Sequence, residues 1–133
     1  MKKNNKDISV LIVEDNTYVI SLLSTILKKE KFNVFTSSNG EDALIMLDRY
    51  GLKIIDLVIT DYQMPKMNGF ELMDKIKLSE KFQHIPVMLL SQYNNSFFND
   101  ENQKKVKQAD SVVHKSNIYK SLIPEIKRLL EKN

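Results

Sequence analysis

The chain has no cysteine. This excludes a disulfide framework and any thiolate metal site, so the fold must stand on its core alone. No apolar run approaches the length of a membrane helix. The opening MKKNNKDISVLIVED begins with positive charge, but its apolar stretch ISVLIV is too short for the core of a signal peptide and is ended by two acids. A soluble cytoplasmic protein is therefore expected. Concentrated charge is also lacking. Lys and Arg number 20 against 17 Asp and Glu, a net of +3, and the basic residues are scattered apart from Lys2-Lys3 and the group Lys104, Lys105 and Lys107. A phosphate-tracking surface needs a concentrated basic face, so direct nucleic-acid binding is not expected, and KKVK reads as a solvated helix face. There is no internal repeat, low-complexity tract or interdomain linker.

What is present is periodic. At 133 residues and 42% apolar content the chain suits one ordinary core and is short for two. The expectation is a single domain over residues 1–133, with its core over about 8–130 and no output domain after Lys132. The chain is then either a stand-alone regulator or a piece of a longer protein. Five short apolar runs stand out: Ile8 to Val13, Asn33 to Ser37, Ile55 to Thr60, Pro86 to Leu90 and Ser111 to Lys115. Three are nearly continuous in apolar character, as strands buried on both faces of a parallel sheet are. Between them lie segments with helical spacing. Asn16 to Glu30 carries Val19, Leu22, Leu23, Ile26 and Leu27; Gly40 to Tyr50 carries Ala43, Leu44 and Leu47; Asn68 to Ser79 carries Phe70, Met73 and Ile76; Ser121 to Lys132 carries Leu122, Ile126, Leu129 and Leu130. This alternation predicts right-handed crossovers and a doubly wound α/β fold, a five-stranded parallel sheet flanked by helices on both faces. The weak segment is Asn94 to Gln108, where almost no apolar stripe follows Phe97 and Phe98 until Val106; a frayed or partly irregular fourth helix is expected. Pro124 would cost about 3 kcal/mol in a helix interior. Ser121 is therefore expected to cap the last helix, leaving Pro124 in its first turn, where N–H groups have no intrahelical acceptor.

In such sheets the functional crevice lies beyond the carboxyl ends of the strands. Run one is followed there by Glu14 and Asp15, run three by Asp61 and run four by Ser91, and run five ends on Lys115. Buried carboxylates are expensive unless paired or metal-bound, and three like charges in one crevice need positive compensation. With neither His nor Cys in the group, a hard divalent cation with oxygen ligands fits, Mg²⁺ in preference and Mn²⁺ after it.

The order VED at positions 13 to 15, DYQMPKMNG at 61 to 69, PVMLLS at 86 to 91 and HK at 114 to 115 closely resembles the receiver domain of two-component response regulators, the phospho-acceptor module of CheY type. The resemblance covers essentially the whole chain. It implies a flavodoxin-like (βα)5 fold in which Asp61 takes a phosphoryl group from a histidine kinase or histidine phosphotransfer protein. The carboxylate would attack phosphorus to give an acyl phosphate. Asp15 would ligate Mg²⁺ directly, with Asp61 and the backbone carbonyl of Gln63, and Glu14 through a water. Lys115 would contact one phosphoryl oxygen and the Ser91 hydroxyl another. Asn68 and Gly69 would close the loop beyond Pro65. Such a module is no enzyme toward outside substrates: it catalyses only its own phosphorylation and dephosphorylation, and it switches the binding of a downstream partner. Met64 and Met67 read as packing groups, and neither His84 nor His114 is expected to be catalytic.

Four departures from that family's pattern bear on mechanism. Ser116 follows the lysine where the family usually has a proline in a cis peptide; a cis bond before a non-proline residue costs roughly 2.5 to 4 kcal/mol, so trans is expected. Val112 stands where the family has a switching aromatic. Gln92 follows Ser91 where a small residue is usual, and the weak Asn94 to Gln108 segment is the fourth. They gather on the face of the fourth helix, fifth strand and fifth helix, so phosphorylation chemistry is expected to survive while the output takes another route. A competing reading follows, an interaction module of the same fold that signals with little or no phosphorylation. A flavodoxin-like cofactor binder is disfavoured, because EDNTY after the first strand has no glycine to cradle a phosphate and carries two acids.

Overall fold

The computed structural model describes residues 4–50, 54–92 and 100–131. Its strands are β1 (Ser9–Val13), β2 (Asn33–Ser37), β3 (Ile55–Asp61), β4 (Val87–Ser91) and β5 (Ser111–His114), in the sheet order β2-β1-β3-β4-β5, every pair parallel. The helices are α1 (Thr17–Lys29), α2 (Gly40–Tyr50), α3 (Gly69–Leu78), α4 (Asp100–Gln108) and α5 (Ile118–Glu131), with short 3-10 turns at Asn5–Asp7 and Lys115–Asn117. The strand order reverses beside β1, which puts the crevice at the carboxyl ends of β1 and β3.

Burial explains the composition of each strand. All five residues of β1 and of β4 are buried, whereas the edge strands β2 and β5 each expose part of their length. Side chains alternate between the two faces of a strand. Leu11 and Val13 accordingly face a cluster with Ala43, Leu47, Phe70, Met73 and Val106 from α2, α3 and α4. Val10 and Ile12 face the opposite cluster, with Leu23 and Leu27 of α1 and Ile118, Leu122 and Ile126 of α5. Where β1 meets β3 the register slips between Ser9 and Val10, and the Asp56 carboxylate accepts the Ser9 N–H at 2.9 Å.

Two expectations need correction. The last helix starts at Ile118, not Ser121, because Ile118 is only 3% exposed and has core to bury. Pro124 therefore lies inside α5. It removes the N–H that would bond the Lys120 carbonyl, but Lys120 and Pro124 are both exposed, so water can reach that carbonyl. The fourth helix is regular from Asp100 to Gln108 and buries Val106; the part of the weak segment over 94–99 lies outside the described residues.

α1 ends on a residue that pays a conformational penalty. Phe32 N–H bonds the Leu27 carbonyl at 3.0 Å and Lys31 N–H the Lys28 carbonyl at 2.9 Å, with Lys31 at φ 74°. This is the paired-bond helix stop that usually carries glycine.

Candidate functional site

Strand register brings the separated acids together. Val13 pairs with Thr60 and Asp61 with Leu90, so Glu14 and Asp61 emerge side by side, while Ser91 pairs with His114 and Lys115 follows directly. Glu14 is fully buried, Asp61 is 6% exposed and Asp15 is exposed. One carboxylate oxygen from each of the three lies within 4.8 Å of the others. Lys115 Nζ stands 3.2 Å from Asp61 Oδ1 and 3.4 Å from Glu14 Oε2. Gln63 lines the recess of about 150 Å³ above these groups, together with Asp15, Asn16, Asp61, Gln92 and Lys115.

Local sequence holds each group in place. Asn16 does two jobs: its side chain accepts from the Tyr18 and Val19 N–H groups to cap α1, and its own N–H donates to Glu14 Oε1 at 3.2 Å. Asp61 ends β3, and the loop after it folds back at Gly69, whose N–H bonds the Tyr62 carbonyl at 2.8 Å. A Cβ on Gly69 would lie 2.3 Å from the Asp61 carbonyl oxygen, so only glycine permits this approach. Asn68 then caps α3, in a reciprocal pair of bonds with Glu71. Met67 and Met64 are packing groups: a Cβ on Gly40 would sit 3.0 Å from Met67 Cβ, and Met64 packs beside the α2–α3 cluster. Between them Lys66 takes φ 69°, under a Met67 N–H to Pro65 carbonyl bond of 2.8 Å.

The electrostatics are those of a site short of positive charge. Burial, with Asp61 close by, pushes the Glu14 carboxyl up to about 7 from 4.5 against the pull of Lys115. Burial likewise raises Asp61, opposed by Lys115 and by the Tyr62 and Gln63 backbone N–H groups. Glu14 Oε2 is buried and makes no hydrogen bond, although the Lys115 ammonium faces it at ion-pair distance. Such an atom beside two other carboxylates is what a cation or its water would satisfy, and the all-oxygen donor set fits a hard divalent ion.

Of the remaining candidates, Ser91 ends β4, 1% exposed, and does not itself line the recess, whereas the next residue, Gln92, does. His84 is exposed and does not line the recess, while His114 turns its ring onto Ser116. The Lys115–Ser116 peptide is trans. Val112 is 41% exposed on the edge strand. Sequence reasoning missed the hold of Asn16 on Glu14 and the pairing of His114 with Ser116; the first carried a signal, an Asn just before a helix, and the second carried none.

A doubly wound parallel sheet with three carboxylates and an ammonium at its switch point defines a phospho-acceptor class of α/β protein. The chain belongs to the response regulator receiver domain family, whose model matches residues 10–127. Among curated relatives, two-component response regulator ORR3 of Oryza sativa subsp. indica is 38% identical over 88 residues, covering 65% of this chain and 64% of its own. The chain thus spans somewhat under two thirds of the length of that relative. Among solved structures, the signal receiver domain of a signal transduction histidine kinase from Syntrophus aciditrophicus superposes with a TM-score of 0.80 at 28% identity, over 93% of this chain and 90% of that one. The response regulator TrrA of Thermotoga maritima, solved in complex with Mg²⁺-BeF, gives 0.77 at 29% identity, over 92% and 99%. The acidic recess of Glu14, Asp15 and Asp61 fits the phosphorylation site of such a domain, a signalling module rather than a conventional enzyme.

Proposed function

We propose that Asp61 is the acceptor of a Mg²⁺-dependent phosphoryl transfer from the phosphohistidine of a histidine kinase or phosphotransfer protein in the cytoplasm. The observation that carries this reading is the Asp61 carboxylate held 3.2 Å from the Lys115 ammonium, with Glu14 and Asp15 oxygens within 4.8 Å. An Asp61 oxygen attacks phosphorus as the donor P–N bond breaks; the bonding pair returns to the imidazole nitrogen, and an acyl phosphate forms on Asp61. Lys115, already at the carboxylate, exchanges it for a phosphoryl oxygen, and the Ser91 hydroxyl donates to another. Glu14, Asp15, Asp61 and the Gln63 carbonyl would hold the ion. When bound, Mg²⁺ neutralises charge on the transferring phosphoryl oxygens. The same site would release the phosphate by hydrolysis, and the change in charge would alter affinity for a downstream partner through contacts that differ between the two states.

Intact mass after incubation with Mg²⁺ and a small acyl-phosphate donor tests the proposal. A phosphate-sized gain in the parent, absent from Asp61→Ala, supports it. No gain under any condition favours the second reading, an interaction module of this fold signalling with little or no phosphorylation, which Gln92 in the recess wall, Val112 and Ser116 motivate.

A further inference from the structure

Lys115 must reach two buried carboxylates from a flexible four-carbon stem, and its two neighbours restrain its backbone. His114, the last residue of β5, turns its ring back along the chain: Nδ1 accepts the Ser116 N–H at 3.1 Å and lies 2.7 Å from Ser116 Oγ. Because Nδ1 accepts a backbone N–H, the ring proton sits on Nε2, and the hydroxyl can only donate, sharing the single Nδ1 lone pair with that N–H. The imidazole thereby caps the turn Lys115–Asn117, a task usually left to Ser, Thr, Asp or Asn. On one side this turn is fixed by the pairing of His114 with Ser91, on the other by buried Ile118, the first residue of α5.

We infer that His114 and Ser116 form a clasp that positions the Lys115 ammonium at Asp61 and Glu14. Neither residue touches the reacting atoms; both act through the lysine between them. The part of the inference that concerns rate rests on the phosphoryl-transfer reading above, and the part that concerns geometry does not.

The test compares His114→Ala, His114→Asn and Ser116→Ala with the parent by two measurements. With acetyl phosphate and Mg²⁺, His114→Ala is expected to form the acyl phosphate about tenfold more slowly, the most that one lost hydrogen bond carries into a rate. Its Mg²⁺ affinity, set by Glu14, Asp15 and Asp61, should not fall. His114→Asn, whose side-chain oxygen can accept the same N–H, should recover most of the rate, and Ser116→Ala should lie between. By NMR, the Lys115 ammonium resonance should move toward that of free lysine in His114→Ala and stay in place in His114→Asn. The inference is overturned if that resonance is unmoved in His114→Ala, if Asn behaves like Ala, or if Mg²⁺ affinity drops in step with the rate. A parent protein that takes up no phosphate would sink the functional reading alone, because the ammonium resonance still decides whether the clasp operates.

Discussion

At the amino ends of β4 and β5, Asp110 accepts the Val87 N–H at 2.8 Å and pairs with Lys77, while Ser111 donates to Glu125 at 3.1 Å and Arg128 closes on the same carboxylate at 2.7 Å. Arg128 also donates to the Asp110 carbonyl at 3.2 Å. At the carboxyl ends of β1 and β3, Glu14 and Asp61 share the Lys115 ammonium, Asp15 adds a third carboxylate, and a buried oxygen of Glu14 makes no hydrogen bond. The base of the sheet matches its charges and uses one of them to satisfy the Val87 N–H. Its mouth leaves them unmatched, the arrangement expected where a site is kept ready for a ligand rather than for folding.

The sharpest way to break this comparison is at Gly69. Gly69→Ala sets a methyl against the Asp61 backbone oxygen, and a loss of about 3 kcal/mol is expected in chemical denaturation, the upper range for overpacking. Gly40→Ala meets Met67 side-chain atoms at 2.8 to 3.0 Å rather than a backbone oxygen at 2.3 Å, and should lose less. Next, the two ends should respond with opposite signs. Asp110→Ala is expected to destabilise by about 1 to 2 kcal/mol, mostly through the Val87 N–H it leaves unpaired, since its ion pair with Lys77 is partly solvent-screened. Glu14→Gln should stabilise the metal-free protein by about 1 to 2 kcal/mol at pH 8 while lowering Mg²⁺ affinity at least tenfold.

The pH dependence sharpens the same contrast. A carboxyl raised from 4.5 to about 7 holds an extra proton in the folded state across that window. The contribution of this group to the stability of the metal-free protein is then full below the window and is lost as pH rises through it, and Asp61 adds in the same direction. Thermal melts should show this fall, and saturating Mg²⁺, which binds the deprotonated site, should flatten or reverse it. Glu14→Gln should largely abolish the slope. The smallest effect expected is at the two strained lysines. Lys31→Gly, at the base, should add about 0.5 kcal/mol with phosphorylation unchanged, whereas Lys66→Gly, in the loop after Asp61, should add a similar amount and slow phosphoryl uptake by loosening that loop.

Much of this was legible because strand chemistry is repetitive. Continuous runs such as Ile8 to Val13 announce burial on both faces, and an acid at the end of such a run has to lie at the crevice. Glu14, Asp15, Asp61 and Lys115 were found that way and do meet. The order of strands in the sheet is not written in any hydrophobic period, and it emerges only in the structure. The start of α5 was misplaced because Lys115 to Lys120 shows no apolar stripe apart from Ile118, and Pro124 suggested a first turn where solvent exposure makes an interior proline tolerable. The His114–Ser116 pair lay beyond reach for another reason: a capping imidazole is a matter of ring direction, which composition and spacing do not encode.

Met67 has a mechanical consequence. With too little room at Gly40 for even a methyl beside it, the thioether works as a wedge between the acceptor loop and the first turn of α2. A close-packed wedge transmits displacement rather than absorbing it. A spectroscopic label at exposed Glu41 should therefore register chemistry at Asp61 from the flank of the molecule opposite β5, without contacting the recess at all.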